Sequence, residues 1–169
     1  MQTVYFQSQP CHTYGTLPIV GEIAPCFQLT GLNLNEVKCD DYAGKRVVLN
    51  IFPSLDTDVC ARSVRKFNEE AAGLDNTAVI CVSMDLPFAM SRFCTLEGIK
   101  NVTPASAFRS PLFAQKYGVQ LVDGPLAGLL ARAVIVLDEN RRVIYCELVE
   151  EITNEPNYEA AISVLKETK

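Results

Sequence analysis

Apolar and polar residues along this chain follow two rhythms. Val47 to Phe52 is a continuous apolar run broken only by Asn50, the pattern of a strand covered on both faces, and Pro53 stops it. Beyond a polar turn, Cys60, Val64, Phe67, Ala71 and Leu74 recur at spacings of four, three, four and three. Arg62, Arg65, Lys66, Glu69 and Glu70 fill the opposite side, which predicts an amphipathic helix with Cys60 in its first turn. Ala78 to Met84 is a second buried-strand run. Pro87 to Leu96 predicts a helix carrying Cys94, and Thr103 to Ala107 a short polar strand.

The flanks are simpler. Thr3 to Phe6 and Cys11 to Leu17, with Pro10 and Gly15 nearby, predict a small hairpin lying as a lid on the rest. Ala24 to Leu29 and Glu36 to Cys39 alternate as short strands. Ala133 to Leu137 and Val143 to Val149 flank a charged turn and predict an antiparallel hairpin, with a closing helix over Tyr158 to Leu165. A strand-helix-strand-helix-strand core followed by a hairpin and a helix is an α/β, thioredoxin-like layout, with a central mixed sheet flanked by helices. The expected organisation is one domain over residues 1–169, with an N-terminal β-hairpin extension over 1–17.

Composition narrows the partners. A net charge of −5, a pI near 4.9 and dispersed cations argue against a nucleic-acid surface. No apolar stretch approaches a membrane span, and the first ten residues lack a cationic start followed by an apolar run, so the expected location is cytoplasmic. Seven cysteines, at positions 11, 26, 39, 60, 81, 94 and 146, cannot all pair within the chain. In a reducing compartment most such residues act as small buried hydrophobes, the expected role of Cys11, Cys26, Cys39, Cys81 and Cys146.

Cys60 is different because it stands where a strand hands over to a helix, three residues after Thr57. Free N–H groups at a helix start stabilise an anion there, and Thr57 is placed to cap the turn or to hydrogen-bond the sulfur or a bound oxygen. Ionisation alone is a small gain. A normal thiol is already roughly 3 % ionised at pH 7, so full conversion is worth at most about thirtyfold. Fast thiol chemistry therefore needs donors for the leaving group, and Thr57 and an arginine are the candidates. Arg132 stands just before the apolar run at Ala133. Arg65 is its rival, although the helical pattern turns it toward solvent.

Other cysteine chemistries lack their residues. The sequence holds no C-x-x-C and a single histidine, His12, which leaves no zinc set and no partner for a cysteine hydrolase. Cys60 has Lys66, not arginine, at the spacing of a phosphatase loop.

Pro53-Ser54-Leu55-Asp56-Thr57-Asp58-Val59-Cys60 resembles the P-x-x-x-T-x-x-C loop of the peroxiredoxins. Asp85 to Cys94, Asp123 to Gly128 followed by Ala131-Arg132, and Glu151 to Pro156 are similar, in order, to segments of the thiol peroxidase branch of the atypical two-cysteine peroxiredoxins. The resemblance implies that Cys60 is the peroxidatic cysteine and Cys94 the resolving one, joined as an intramolecular disulfide, with Pro53, Thr57 and Arg132 completing the site. It further implies hydrogen peroxide and organic hydroperoxides as substrates, thioredoxin as reductant, a homodimer, and no metal, haem or flavin cofactor. Asp58 departs from the branch, which often has a small residue there. Its charge opposes a nearby thiolate but favours the helix start, and the two effects offset one another. A stoichiometric redox relay and a non-catalytic interaction module are the rival classes; the latter is disfavoured because Cys60, Thr57 and Arg132 are all present.

Overall fold

In the computed structural model, which describes residues 1–71 and 73–167, a seven-stranded mixed sheet carries helices on both faces. The strands are β1 (Thr3–Phe6), β2 (Gln9–His12), β3 (Gln28–Thr30), β4 (Glu36–Lys38), β5 (Arg46–Ile51), β6 (Thr77–Ser83), β7 (Thr103–Ser106), β8 (Ala133–Leu137) and β9 (Val143–Leu148). The helices are α1 (Asp58–Ala71), α2 (Pro87–Glu97), α3 (Pro111–Lys116) and α4 (Tyr158–Glu167), with a 3-10 turn over Cys39–Tyr42. β1 and β2 form a separate ribbon, and the main sheet runs β4-β3-β7-β6-β5-β8-β9.

Strand β5 is central because it pairs in parallel with β6 and antiparallel with β8. Both its faces are therefore covered, which is why its sequence reads as an unbroken apolar run. Val47, Leu49 and Ile51 join one core layer with Phe27, Val37 and Leu137. Val48 and Phe52 point the other way and join α1 and α4 through Val64, Phe67 and Ile162. The sheet thus separates two apolar layers. Pairing of Ile51 with Ala133 brings the start of β8 to the end of β5 where the chain enters Pro53. Arg132 and the loop before α1 consequently meet at one end of the sheet.

The predicted elements are all present, with shifted ends. The N-terminal hairpin turns at Gln7 and Ser8, both at positive φ, as a two-residue hairpin loop requires. Its second strand is accordingly Gln9–His12 and not Cys11 to Leu17. Pro10 pairs with Tyr5 inside this ribbon, tolerated because β2 is an edge strand of a two-stranded sheet, whose other side meets the 120–122 segment only from His12 onward among the described residues. Helix α1 stops at Ala71, so Leu74 packs from the following turn; the Ala71 side chain lies outside the described residues. The strand at Thr103 is not a polar one, since Pro104, Ala105 and Ser106 are buried between β6 and β3. Helix α3 had no apolar periodicity to announce it over six residues, although Pro111 opens it, a position where the missing N–H costs nothing.

Gly118 follows α3 at φ +66°, and a Cβ there would lie 2.1 Å from the carbonyl oxygen of Thr16. Gly118→Ala combines left-handed strain with a backbone clash. It should lower folding stability by about 1–3 kcal/mol, read as a reduced urea midpoint, whereas the same change at Gly44, whose added Cβ meets nothing within 4 Å, should cost less.

Candidate active site

Cys60 is the third residue of α1 and is fully buried. Its sulfur accepts a hydrogen bond from Nη2 of Arg132 at 3.2 Å. Arg132 is itself only 2 % exposed, so its guanidinium is held beneath the surface beside this sulfur. Its Nε donates to the carbonyl oxygen of Ile152 at 2.8 Å, which fixes the guanidinium plane. Nη1 is buried and has no hydrogen-bond partner among the described residues. A guanidinium that spends one donor on the backbone and one on the sulfur, and keeps a third free beside them, is set to bind an oxygen next to Cys60.

The lid hairpin supports this arrangement. The Tyr5 amide donates to the carbonyl of Glu150, and the Ile152 amide donates to that of Tyr5. Glu151 accepts from the amides of Gln7 and Ser8 at 3.0 Å each, with the Ser8 amide chief among the contacts that hold its carboxyl below the usual range. Val4 and Cys11 pack with Leu121, Ala131 and Ile152 around the guanidinium's backbone anchors. Cys11 is thus a buried hydrophobe, as expected.

Thr57 is exposed, and its hydroxyl donates to the carbonyl of Ser54 at 3.0 Å. That contact replaces the expected cap or sulfur hydrogen bond, and it leaves the hydroxyl oxygen free to accept. Pro53 is buried at the base of the loop. Arg65, the rival cation, forms a two-point ion pair with Glu97, with Nε to Oε2 at 2.9 Å and Nη2 to Oε1 at 3.1 Å, on the exposed side of α1.

Asp85 was not singled out from the sequence, yet it organises the loop. Its carboxylate accepts from the Ser54 hydroxyl at 2.8 Å, the Leu55 amide at 2.8 Å and the Ser83 hydroxyl at 2.6 Å. Residues 83–85 end β6 and lead into α2, so one carboxylate ties the loop before Cys60 to the element that carries Cys94. The other end of α2 is tied to α1 by Arg65–Glu97 and by Asn68, whose Oδ1 accepts from the amides of Lys100 and Asn101. An aspartate flanked by Met84 and Leu86 carries no local pattern that reveals a partner 31 residues away.

Cys94 is 9 % exposed, a free thiol on the buried face of α2, and burial raises its pKa. It packs with Cys81, Phe52, Met90, Phe93 and Pro104 around a gap too small to admit a water molecule, and Cys60 does not line that gap. Cys60 belongs to the core layer under α1 and Cys94 packs against Phe52, Cys81 and Met90 of that layer, but the two are not bonded to each other. Cys146 is a half-buried free thiol against the opposite layer.

Cys26 and Cys39 correct the expectation that both are isolated buried hydrophobes. They form a disulfide, with Cα atoms 5.5 Å apart, across the open end of the β3–β4 hairpin. Both were read as strand residues, but Cys26 lies before β3 and Cys39 opens the 3-10 turn, which brings them opposite one another. In the chain-entropy view a loop of this size contributes about 3 kcal/mol.

The comparisons with known proteins agree with this geometry. The family model described as Redoxin matches residues 19–162. A thiol peroxidase of Corynebacterium glutamicum is 55% identical over 165 residues, which cover 98% of this chain and 99% of that protein. Among solved structures, a peroxiredoxin-like protein from Aquifex aeolicus superimposes with a TM-score of 0.94 at 42% identity, covering 99% of this chain and 97% of that one. A thiol peroxidase from Chromobacterium violaceum, at 22% identity and a TM-score of 0.87 over 98% of this chain and 95% of its own, shares the fold. The chain belongs to the redoxin family, in the thiol peroxidase branch of the peroxiredoxins, and is a peroxiredoxin-type enzyme.

Cys81 has its thiol pKa pushed up to about 12 by burial, with a partly offsetting contact from Asn50 Nδ2 at 3.7 Å. Because the folded value is raised, this thiol's contribution to stability is intact below about 9 and is lost as pH climbs toward about 12. Denaturant midpoints should fall across that window in the wild type. Cys81→Ser should flatten the fall by up to about 1.4 kcal/mol per pH unit.

Proposed function

We propose that this enzyme reduces hydrogen peroxide and organic hydroperoxides, with Cys60 as the peroxidatic and Cys94 as the resolving cysteine. The observation that carries the reading is the buried Arg132 guanidinium, with one nitrogen 3.2 Å from the Cys60 sulfur and a second without a partner among the described residues. The Cys60 thiolate attacks one peroxide oxygen in line with the O–O bond. That bond breaks, and the departing oxygen takes a proton and leaves as water or an alcohol. Arg132 Nη1 and Nη2 donate to the oxygens as negative charge moves onto the leaving one, while the Thr57 hydroxyl oxygen accepts a hydrogen bond from the hydroperoxide O–H. Pro53 shields the base of the loop from water.

The sulfenic acid on Cys60 is then attacked by the Cys94 thiolate, a water leaves, and the disulfide closes. A thioredoxin-type dithiol restores both thiols by exchange. The enzyme acts in the cytoplasm as a homodimer, each subunit a single domain over residues 1–169 with the hairpin over 1–17 as an extension.

Turnover measured with peroxide, thioredoxin, its reductase and NADPH tests the assignment. Cys60→Ser should be inactive, and Cys94→Ser should consume about one equivalent of peroxide and then stall. Retained turnover in Cys60→Ser overturns the reading. Arg132→Gln should slow the peroxide step by about 10²–10³-fold, and Arg132→Lys should recover only part, since an ammonium cannot donate to sulfur and oxygen in one plane.

A disulfide needs Cα atoms within about 7 Å, but Cys94 is packed with Cys81, Phe52 and Met90 around a closed gap that Cys60 does not line. Oxidation should therefore unwind part of α2. Hydrogen exchange of amides 90–97 should accelerate in the disulfide form. Arg65→Ala, which unfastens the end of α2, should speed disulfide closure at little cost in stability, because an exposed ion pair is worth about 0–1 kcal/mol. Unchanged exchange in α2 counts against this motion.

A further inference from the structure

The Cys26–Cys39 pair lies outside the site described above: Cys39 belongs to the apolar layer on one face of the sheet, whereas Cys60 belongs to the other layer and Cys94 packs against that layer. Its two sulfurs are unequal. Cys26 is exposed and borders an open groove of about 650 Å³, so its sulfur is the one a thiol of another protein can reach. Cys39 is 6 % exposed and packed against Phe27 and Val47. Arg141 Nη1 stands 3.6 Å from the Cys39 sulfur.

Arg141 is held in place. Its Nε donates to the carbonyl of Ala24 at 3.0 Å, and the Ala24 amide donates to the Arg141 carbonyl at 2.9 Å. Asp40 is the opposing charge, with Oδ1 3.7 Å from the same sulfur. It is exposed and therefore screened by water, whereas Arg141 is partly buried and anchored, so the guanidinium dominates at this sulfur. Cys26, Cys39 and Asp40 are also close enough to share a metal ion. A fixed cation beside Cys39 disfavours that use.

We propose that Cys26–Cys39 is a second reducible centre, in which a dithiol protein attacks Cys26 and Cys39 departs as a thiolate facing Arg141. The reductant's thiolate forms a bond to Cys26 Sγ as the Cys26–Cys39 bond breaks, and the electron pair leaves on Cys39. The reductant's second thiolate then attacks its own sulfur in the mixed disulfide and releases Cys26. Two electrons and two protons pass from the dithiol, which becomes a disulfide. Stabilising the leaving thiolate accelerates such exchange, which is the work Arg141 performs. Reduction would unlock the open end of a hairpin that meets the rest of the sheet through one ladder pair, Thr30 with Ser106.

Peptide-resolved alkylation and mass spectrometry of the folded chain in dithiothreitol redox buffers read this pair separately from Cys60 and Cys94, so the outcome is independent of the peroxidase assignment. The expected result is reversible opening of Cys26–Cys39 without denaturant. A bacterial thioredoxin lacking its second active-site cysteine should be trapped on Cys26. Arg141→Gln should slow reduction about threefold, for a one-unit weaker leaving group at a slope near 0.5, and Arg141→Lys should retain most of the rate. Reduction only in denaturant, trapping on Cys39, a zinc ion retained by the reduced pair, or an unchanged rate in Arg141→Gln overturns the proposal.

Discussion

A guanidinium placed under a protein surface needs partners for its donors, and the way Arg132 finds them shapes the surrounding structure. One donor goes to the carbonyl of Ile152 and one to the sulfur of Cys60. The Ile152 carbonyl is itself positioned because the 150–152 segment is bonded on both sides of Tyr5 in the N-terminal ribbon. The β5–β8 register then sets Arg132 opposite the end of β5, where the chain turns into α1. Moving any of these would leave a buried charge without a partner, a penalty of several kcal/mol. The ribbon is in this sense part of the active site, although it contributes no reacting atom.

The same economy appears in how the reactive helices are fastened. Asp85 binds the loop before Cys60 and stands at the entrance to α2, and Arg65 and Asn68 hold the far end of that helix from α1. These are polar and partly exposed contacts. They can exchange with water at modest cost, unlike the apolar contacts of Phe67 or Val64 in the α1 interface. Contacts of this kind fasten both ends of α2, which is closed by Gly98 in the left-handed conformation.

Much of this was legible in the residues. Continuous apolar runs gave β5 and β6, a period-3.6 pattern gave α1, and two apolar segments about a charged turn gave the β8–β9 hairpin, because those elements bury one face or two and burial writes itself into sequence. Cys60 was legible from its place at a strand-to-helix junction. Arg132 was not legible from pattern, since nothing local distinguishes an arginine beside a buried sulfur from one in solvent; only the motif resemblance pointed to it. Asp85 and the Cys26–Cys39 bond were missed for a related reason, because both depend on contacts between segments far apart in sequence or across a hairpin end. Thr57 sits where the motif put it, but its hydroxyl bonds to the Ser54 carbonyl, a choice set by local turn geometry.

Seven cysteines in one small chain invite mispairing, and the central sheet limits it. Cys60 and Cys81 lie in the layer under α1 and α2 and Cys94 packs against it, while Cys39 and Cys146 lie in or against the layer on the other side. Exchange between the two groups would require a sulfur to pass through a continuous hydrogen-bonded ladder of backbone. The strands thereby act as an insulating partition that reduces the number of disulfide isomers open to a chain rich in oxidisable sulfur.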